Sequence, residues 1–192
     1  KRNMINASFK MKRTLVIVAH PHLASSSVNR CWVDRLNQYH EQVTIHDLYS
    51  YYPSFKINSG FEQNLIENHQ NLVIQFPIYW FNCPPLLKQW LDDVFTYGWA
   101  FGALGDKLRS KKVGLAVSAG IKKADYSQTG HYKYTLEQIL SPFELTINYV
   151  QADYQPIFAI YGANNEPDYP DKITQKDIDK SADDYVNWMK KI

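Results

Sequence analysis

Hydrophobic positions along this chain fall into two alternating rhythms. Continuous apolar runs occur at residues 14–19 (TLVIVA), 71–76 (NLVIQF) and 112–118 (KVGLAVS), with a further run at 157–161 (IFAIY). Unbroken stretches of this kind, rich in Val and Ile, are how strands covered on both faces read. Residues 43–48 (VTIHDL) alternate in the manner of a strand. Between the runs, apolar residues recur at helical spacing. They are Val28, Cys31, Trp32 and Leu36, then a short stretch at 61–69, then Leu87, Trp90, Leu91, Val94 and Phe95 after Pro84-Pro85. Leu136, Ile139, Leu140 and Phe143 form a further stripe, and Ile178, Ala182, Tyr185, Val186 and Met189 a terminal one. Residues 49–60 are turn-rich.

Strand and helix therefore alternate five times, with no internal repeat and no low-complexity linker. That order predicts an α/β protein with a doubly wound parallel sheet and helices on both faces. Five strands suit the order 2-1-3-4-5 better than the six-stranded dinucleotide-binding order. Ligands of such sheets bind beyond the C-terminal strand ends, at the switch point between the first and third strands. The loops after Ala19, Phe76 and Ser118 are thus the ones to search for chemistry.

Composition narrows the classes. At 192 residues, 45% hydrophobic and 21% charged, the chain reads as one globular domain over 11–192. Residues 1–10 read as a natural leader or a cloning remnant, disordered, with Met11 as the true start. Lys1, Arg2 and Lys10 lie in that stretch with no acid, so the net charge of +2 becomes −1 from Met11 onward. Near neutrality gives no argument for nucleic acid. Cys31 and Cys83 are too few for a disulfide scaffold or a Cys-built zinc site. No apolar stretch suits a transmembrane helix or signal peptide, so a cytoplasmic protein is expected. The 15% aromatic content is high and is compatible with planar-ligand sites as well as with core.

The loop after the first strand, HPHLASSSVN (20–29), has neither a dinucleotide-binding nor a P-loop glycine pattern. Its three consecutive serines at a helix start suit a phosphate, aided by the helix amides and dipole, or a plain helix cap by Ser26 or Ser27. His20 and His22 lack a carboxylate or cysteine at ligand spacing, so no metal is expected. The loop after the third strand, PIYWFNCPP (77–85), sets Tyr79, Trp80 and Phe81 between prolines, as a wall for a flat heterocycle or as packing under the next helix. The loop Ser118-Ala119-Gly120-Ile121 is small enough for backbone N–H groups to approach a ligand. Tyr126 and His131 beyond it suit proton supply to a substrate, or are surface residues of a loop.

Together, the HPH…S-x-V-N segment, FPIYWFNCPPLLKQWLDDVFTYGWAFG (76–102) and the S-A-G loop with its following tyrosine carry a resemblance. They resemble the NAD(P)H:quinone oxidoreductase branch of the flavodoxin-like superfamily. That branch includes general stress protein 14 and the flavoprotein subunit of glutathione-gated potassium efflux systems. The resemblance spans residues 12–190. It implies a flavodoxin-like fold and a flavin, FMN rather than FAD. It further implies two-electron transfer from NADH or NADPH to a quinone or similar acceptor by a ping-pong route. By position, His20, Ser26, Ser27, Val28 and Asn29 correspond to the loop holding the flavin phosphate and ribityl end. Pro77, Ile78, Tyr79, Trp80 and Phe81 correspond to the wall along the ring edge, and Ser118, Ala119, Gly120 and Ile121 to the turn against its pyrimidine side. Tyr126 and His131 correspond to the family's catalytic Tyr and His. Two departures stand out: Ala119 removes a family hydroxyl, and Ile121 replaces a glycine and is expected to crowd the site. A homodimer with the site at its interface is also implied, with Tyr97, Trp99 and Phe101 as interface aromatics. The alternatives are a flavodoxin-type electron carrier and a flavin-binding regulatory subunit of a potassium efflux transporter.

Overall fold

A computed structural model describes residues 11–192; the expected leader lies outside the described residues. The sheet is parallel throughout, in the order β2-β1-β3-β4-β5, with a further strand, β6, also on β4. Strands β1 (Thr14–Val18), β3 (Asn71–Pro77) and β4 (Lys112–Ser118) are its buried centre, while β2 (Val43–Asp47) closes one edge. The fifth strand expected at 157–161 is present as β6, and a two-residue strand not read from the sequence, β5, precedes it. β5 (Asp153–Tyr154) pairs Val113 with Tyr154, and β6 (Phe158–Ile160) pairs Ala116 with Phe158, one residue out of step. Pro156 lies in the gap, and a residue without an N–H cannot continue the ladder.

Alternate side chains of each strand feed two separate cores. Leu15, Ile17, Ile74, Phe76 and Leu115 pack with Leu86, Trp90, Val94 and Phe143 on one face. That face carries α2 (Leu48–Tyr51), α3 (Ser59–Glu67), α4 (Pro85–Val94), α5 (Leu136–Ile139) and α6 (Ser141–Tyr149). Val16, Val18, Val73 and Ala116 pack with Trp32, Leu36, Tyr185 and Met189 on the other. There α1 (Val28–Leu36) and α7 (Gln175–Met189) lie side by side, and Trp32 Nε1 donates to Ser181 Oγ at 2.8 Å. The stripe Leu136–Phe143, expected as one helix, bends at Leu140 into α5 and α6. Pro142 removes the N–H that a continuous helix would need there. Of the aromatics expected at an interface, Trp99 belongs to the core, and its Nε1 donates to Glu67 at 2.6 Å. Tyr97 is exposed.

Candidate functional site

All strands point the same way, so the C-terminal ends of β1, β3 and β4 open onto one cleft. Its volume is about 490 Å³, and its lining runs from His20, Ser26 and Asn29 across Pro77, Ile78 and Tyr79 to Ser118 and Gly120. This is the size and position of a ligand pocket in an open α/β sheet.

One end of the cleft is the start of α1. Ser26 Oγ accepts the Asn29 N–H at 3.1 Å, so Ser26 performs the local capping. Ser27, at the N-cap position, makes no side-chain cap bond, and the first turn of α1 holds no acid. α2 and α4 likewise hold none, whereas α3, α5, α6 and α7 each carry an acid there. The first turn of α1 therefore supplies no counter-charge of its own to the positive end of its dipole, which suits an anion; the acid in the cleft lining is Glu166, from another segment. Val28 is buried, and its side chain helps seat the helix start on the core.

His20 accepts the His22 N–H on Nδ1 at 3.0 Å. Burial, with His22 as the lesser cause, lowers its pKa to about 4. The ring is thus neutral at physiological pH, with its proton on Nε2. It stands edge-on to Tyr79 at 6.4 Å.

The aromatic loop is not a flat wall. Tyr79 N–H donates to Asn82 O at 2.8 Å and Asn82 N–H to Tyr79 O at 3.0 Å. Trp80 and Phe81, the two residues between, have φ of 45° and 60°. That is the tight two-residue turn normally built from Asn-Gly. Only Tyr79 of the three aromatics lines the cleft. Trp80 is 93% exposed, and Phe81 packs edge-on against Tyr132 at 5.0 Å. Left-handed backbone at a bulky residue costs about 1–2 kcal/mol. Trp80→Asn is therefore expected to raise the unfolding free energy by about 1 kcal/mol, read as a higher urea midpoint with unchanged slope. A lowered midpoint would show that Trp80 has packing value despite its exposure.

On the third loop, Ser118 and Gly120 line the cleft, but Ala119 and Ile121 do not. The Ala119 side chain is fully buried in the core and Ile121 packs against it. The missing hydroxyl and the extra bulk read from the sequence are thus directed away from the cleft. Tyr126 and His131 are likewise not among its lining residues. Tyr126 is buried between Tyr132 and Tyr161, with ring centroids 5.1 and 5.4 Å away. Burial first, then the neighbouring tyrosines, push its pKa up to about 12, so the phenol keeps its proton. His131 is exposed and meets Tyr132 edge-on. Tyr132, Phe81 and Tyr134 line a neighbouring groove of about 460 Å³.

The sequence reading missed one wall. Gly162, Asn164, Asn165, Glu166, Lys172 and Ile173, from the strap after β6, complete the cleft. Gly162 N–H donates to Ile121 O and Ala163 N–H to Ala119 O, both at 3.0 Å, and Lys122 Nζ pairs with Asp171 at 3.0 Å. Gly162 has φ of 73°, and a Cβ there would lie 2.8 Å from Asp171 O, so only glycine fits without strain. The signal was present, because GANNEPDYPDK follows a strand that ends on the same edge.

The Flavodoxin_2 family, described as having the Flavodoxin-like fold, matches residues 12–184. An NAD(P)H oxidoreductase of Bacillus subtilis, YrkL, itself uncharacterized, is 42% identical over 178 residues, 93% of this chain and 98% of that one. The glutathione-regulated potassium-efflux system ancillary protein KefG of Yersinia pestis is 36% identical over 177 residues, 92% and 93% of the two chains. Among solved structures, general stress protein 14 of Treponema denticola, in complex with FMN, superposes with a TM-score of 0.85 at 46% identity, covering 92% and 97%. An NADPH-quinone reductase of P. pentosaceus superposes at 0.76 with 31% identity, covering 90% and 96%. A match across nearly all of the described chain, on a sheet whose order and cleft agree with it, leaves one conclusion: this chain belongs to the Flavodoxin_2 family, of flavodoxin-like fold.

Proposed function

We propose that this protein is an FMN-binding NAD(P)H oxidoreductase that passes two electrons to a quinone or a similar acceptor. The observation that carries the reading is the acid-free start of α1, with its Ser27 side chain uncommitted, facing the same cleft as Tyr79. A phosphorylated flat ring fits that pairing of anion end and aromatic end. When bound, FMN supplies reversible two-electron storage, so that the nicotinamide and the acceptor use one open face in turn.

The chain's own residues do the rest. The α1 amides and the serine hydroxyls hold the phosphate, while Lys172 and Glu166 contribute one charge of each sign to the same lining. His20 donates through Nε2. Pro77, Ile78 and Gly120 bring backbone against the ring, and Tyr79 excludes water from its edge. Tyr126 and His131 are assigned to the acceptor, since both touch Tyr132 at the groove beside the cleft. The phenol of Tyr126 stays protonated at neutral pH and serves as a hydrogen-bond donor.

The test is an absorbance titration of the FMN-loaded protein without oxygen. Bleaching of the flavin bands by NADPH and their return on adding menadione are expected. Bands that NADPH leaves unchanged would remove the oxidoreductase reading and favour an electron carrier. A second reading, a regulatory subunit of a potassium efflux transporter, is favoured by the likeness to KefG. Among the described residues no helix is long and apolar enough to cross a membrane, so this role would need a membrane-embedded partner. Co-purification with such a transporter would support it.

A further inference from the structure

Gln75 is fully buried in the middle of β3. A central strand flanked by two apolar cores is an uncommon place for a carboxamide, and an unpaired one there is destabilising. Its partners form a chain. Tyr185 Oη donates to Gln75 Oε1 at 3.2 Å. Gln75 Nε2 donates to both the backbone O and the Oδ1 of Asn29, each at 3.2 Å. Asn29 Nδ2 then donates to Ser118 Oγ at 2.9 Å.

The direction of this chain is not arbitrary. A backbone carbonyl can only accept, so Gln75 must turn its NH₂ toward Asn29. That places the Asn29 side-chain oxygen toward Gln75 and its NH₂ toward Ser118. Ser118 Oγ therefore accepts from within, and its own proton cannot point back along the chain. Ser118 is 5% exposed, and its O–H donates to nothing among the described residues. Ser118 is also one of the residues that line the cleft.

We propose that Gln75 is a positioning residue which, through Asn29, holds the Ser118 hydroxyl as a hydrogen-bond donor into the cleft. The site then selects a ligand with a lone pair or developing negative charge at that point, such as a carbonyl or unprotonated ring nitrogen. This rests on the proposed flavin reading, and it makes Asn29 a link in the wall behind the ligand.

The experiment is FMN binding to the apoprotein, followed by quenching of flavin fluorescence, with the absorption spectrum of the bound form. Ser118→Ala is expected to weaken FMN about tenfold and shift the flavin bands, whereas Ser118→Thr keeps affinity and spectrum. Gln75→Met frees the Asn29 amide to reverse, so that Ser118 donates inward. It is expected to reproduce the loss and the spectral shift of Ser118→Ala, and the double variant to bind no more weakly than Ser118→Ala alone. Wild-type affinity in Ser118→Ala would overturn the proposal, as would losses that multiply in the double variant. The Ser118 variants decide the donor role even where Gln75→Met does not fold. A wild-type protein that binds no FMN would overturn the flavin reading itself, whereas binding indifferent to Ser118 overturns only this inference.

Discussion

Glu62→Ala is expected to lower the unfolding free energy by about 3–5 kcal/mol, the cost of breaking a buried pair from one side. Glu62 is completely buried in the first turn of α3. Its Oε1 accepts from His46 Nε2 at 2.8 Å and from Tyr52 Oη, and its Oε2 accepts from Trp90 Nε1 at 2.8 Å. One carboxylate thus ties β2, the C-cap residue of α2, α3 and α4 together, and removing it leaves three buried donors unpaired. Burial by itself raises the Glu62 pKa, but the bonds from His46, Tyr52 and Trp90, with the charge of His46, outweigh it and leave the pKa lowered. A group whose folded-state pKa is depressed stabilises the fold above its unfolded pKa and loses that contribution as pH falls through the folded value. The wild-type advantage over Glu62→Ala is therefore full above the ordinary glutamate range of about 4.3 and shrinks on acidification below it. Urea unfolding at neutral and acid pH measures both. Glu62→Leu combined with His46→Leu should recover part of the loss, because removing both partners of a buried pair leaves no orphaned charge. A loss below about 1 kcal/mol in the single variant would mean that water replaces the carboxylate.

Ser27→Asp should separate stability from function. The Ser27 side chain makes no cap bond, and α1 lacks an acid in its first turn. An aspartate there suits the helix dipole and is expected to stabilise the fold by about 0.5–1 kcal/mol. The same carboxylate would face the phosphate of FMN across a few ångströms. Repulsion at that range is worth several kcal/mol, so FMN affinity should fall by about two orders of magnitude or more. Riboflavin has the ring and no phosphate, and its affinity should hardly change. Equal losses for the two flavins would move the phosphate away from α1. Unchanged affinity for both would remove the anion site altogether.

Local patterning already carried most of the fold. The strands β1, β3 and β4 read as continuous apolar runs because both their faces are covered, and α7 was legible because Ile178, Ala182, Tyr185, Val186 and Met189 recur at helical spacing. The topological rule then pointed to three of the loops that form the cleft. One error came where a proline interrupted a pattern that hydrophobicity alone continues. Pro142 divided the α5–α6 stripe, and the short β5 before Pro156 carries too few apolar residues to be read as a strand.

Residue type in a loop does not specify direction, so the site was less legible than the fold. Three adjacent aromatics look alike in sequence, yet a tight turn at positive φ directs Tyr79 into the cleft and Trp80 into solvent. Ala119 and Ile121 look like altered site residues until strand alternation turns their side chains into the core. The strap with Lys172 and Glu166 joins the cleft only because β6 lies beside β4. Nothing local marks Gln75, Asn29 and Ser118 as one hydrogen-bond chain, since they come from β3, α1 and β4. The sequence by itself determined the element types, the parallel sheet and its ligand-bearing edge, because these follow from period and alternation along the chain. Only the tertiary structure decided which side chains face the cleft and which way their protons point, because that depends on neighbours far apart in sequence.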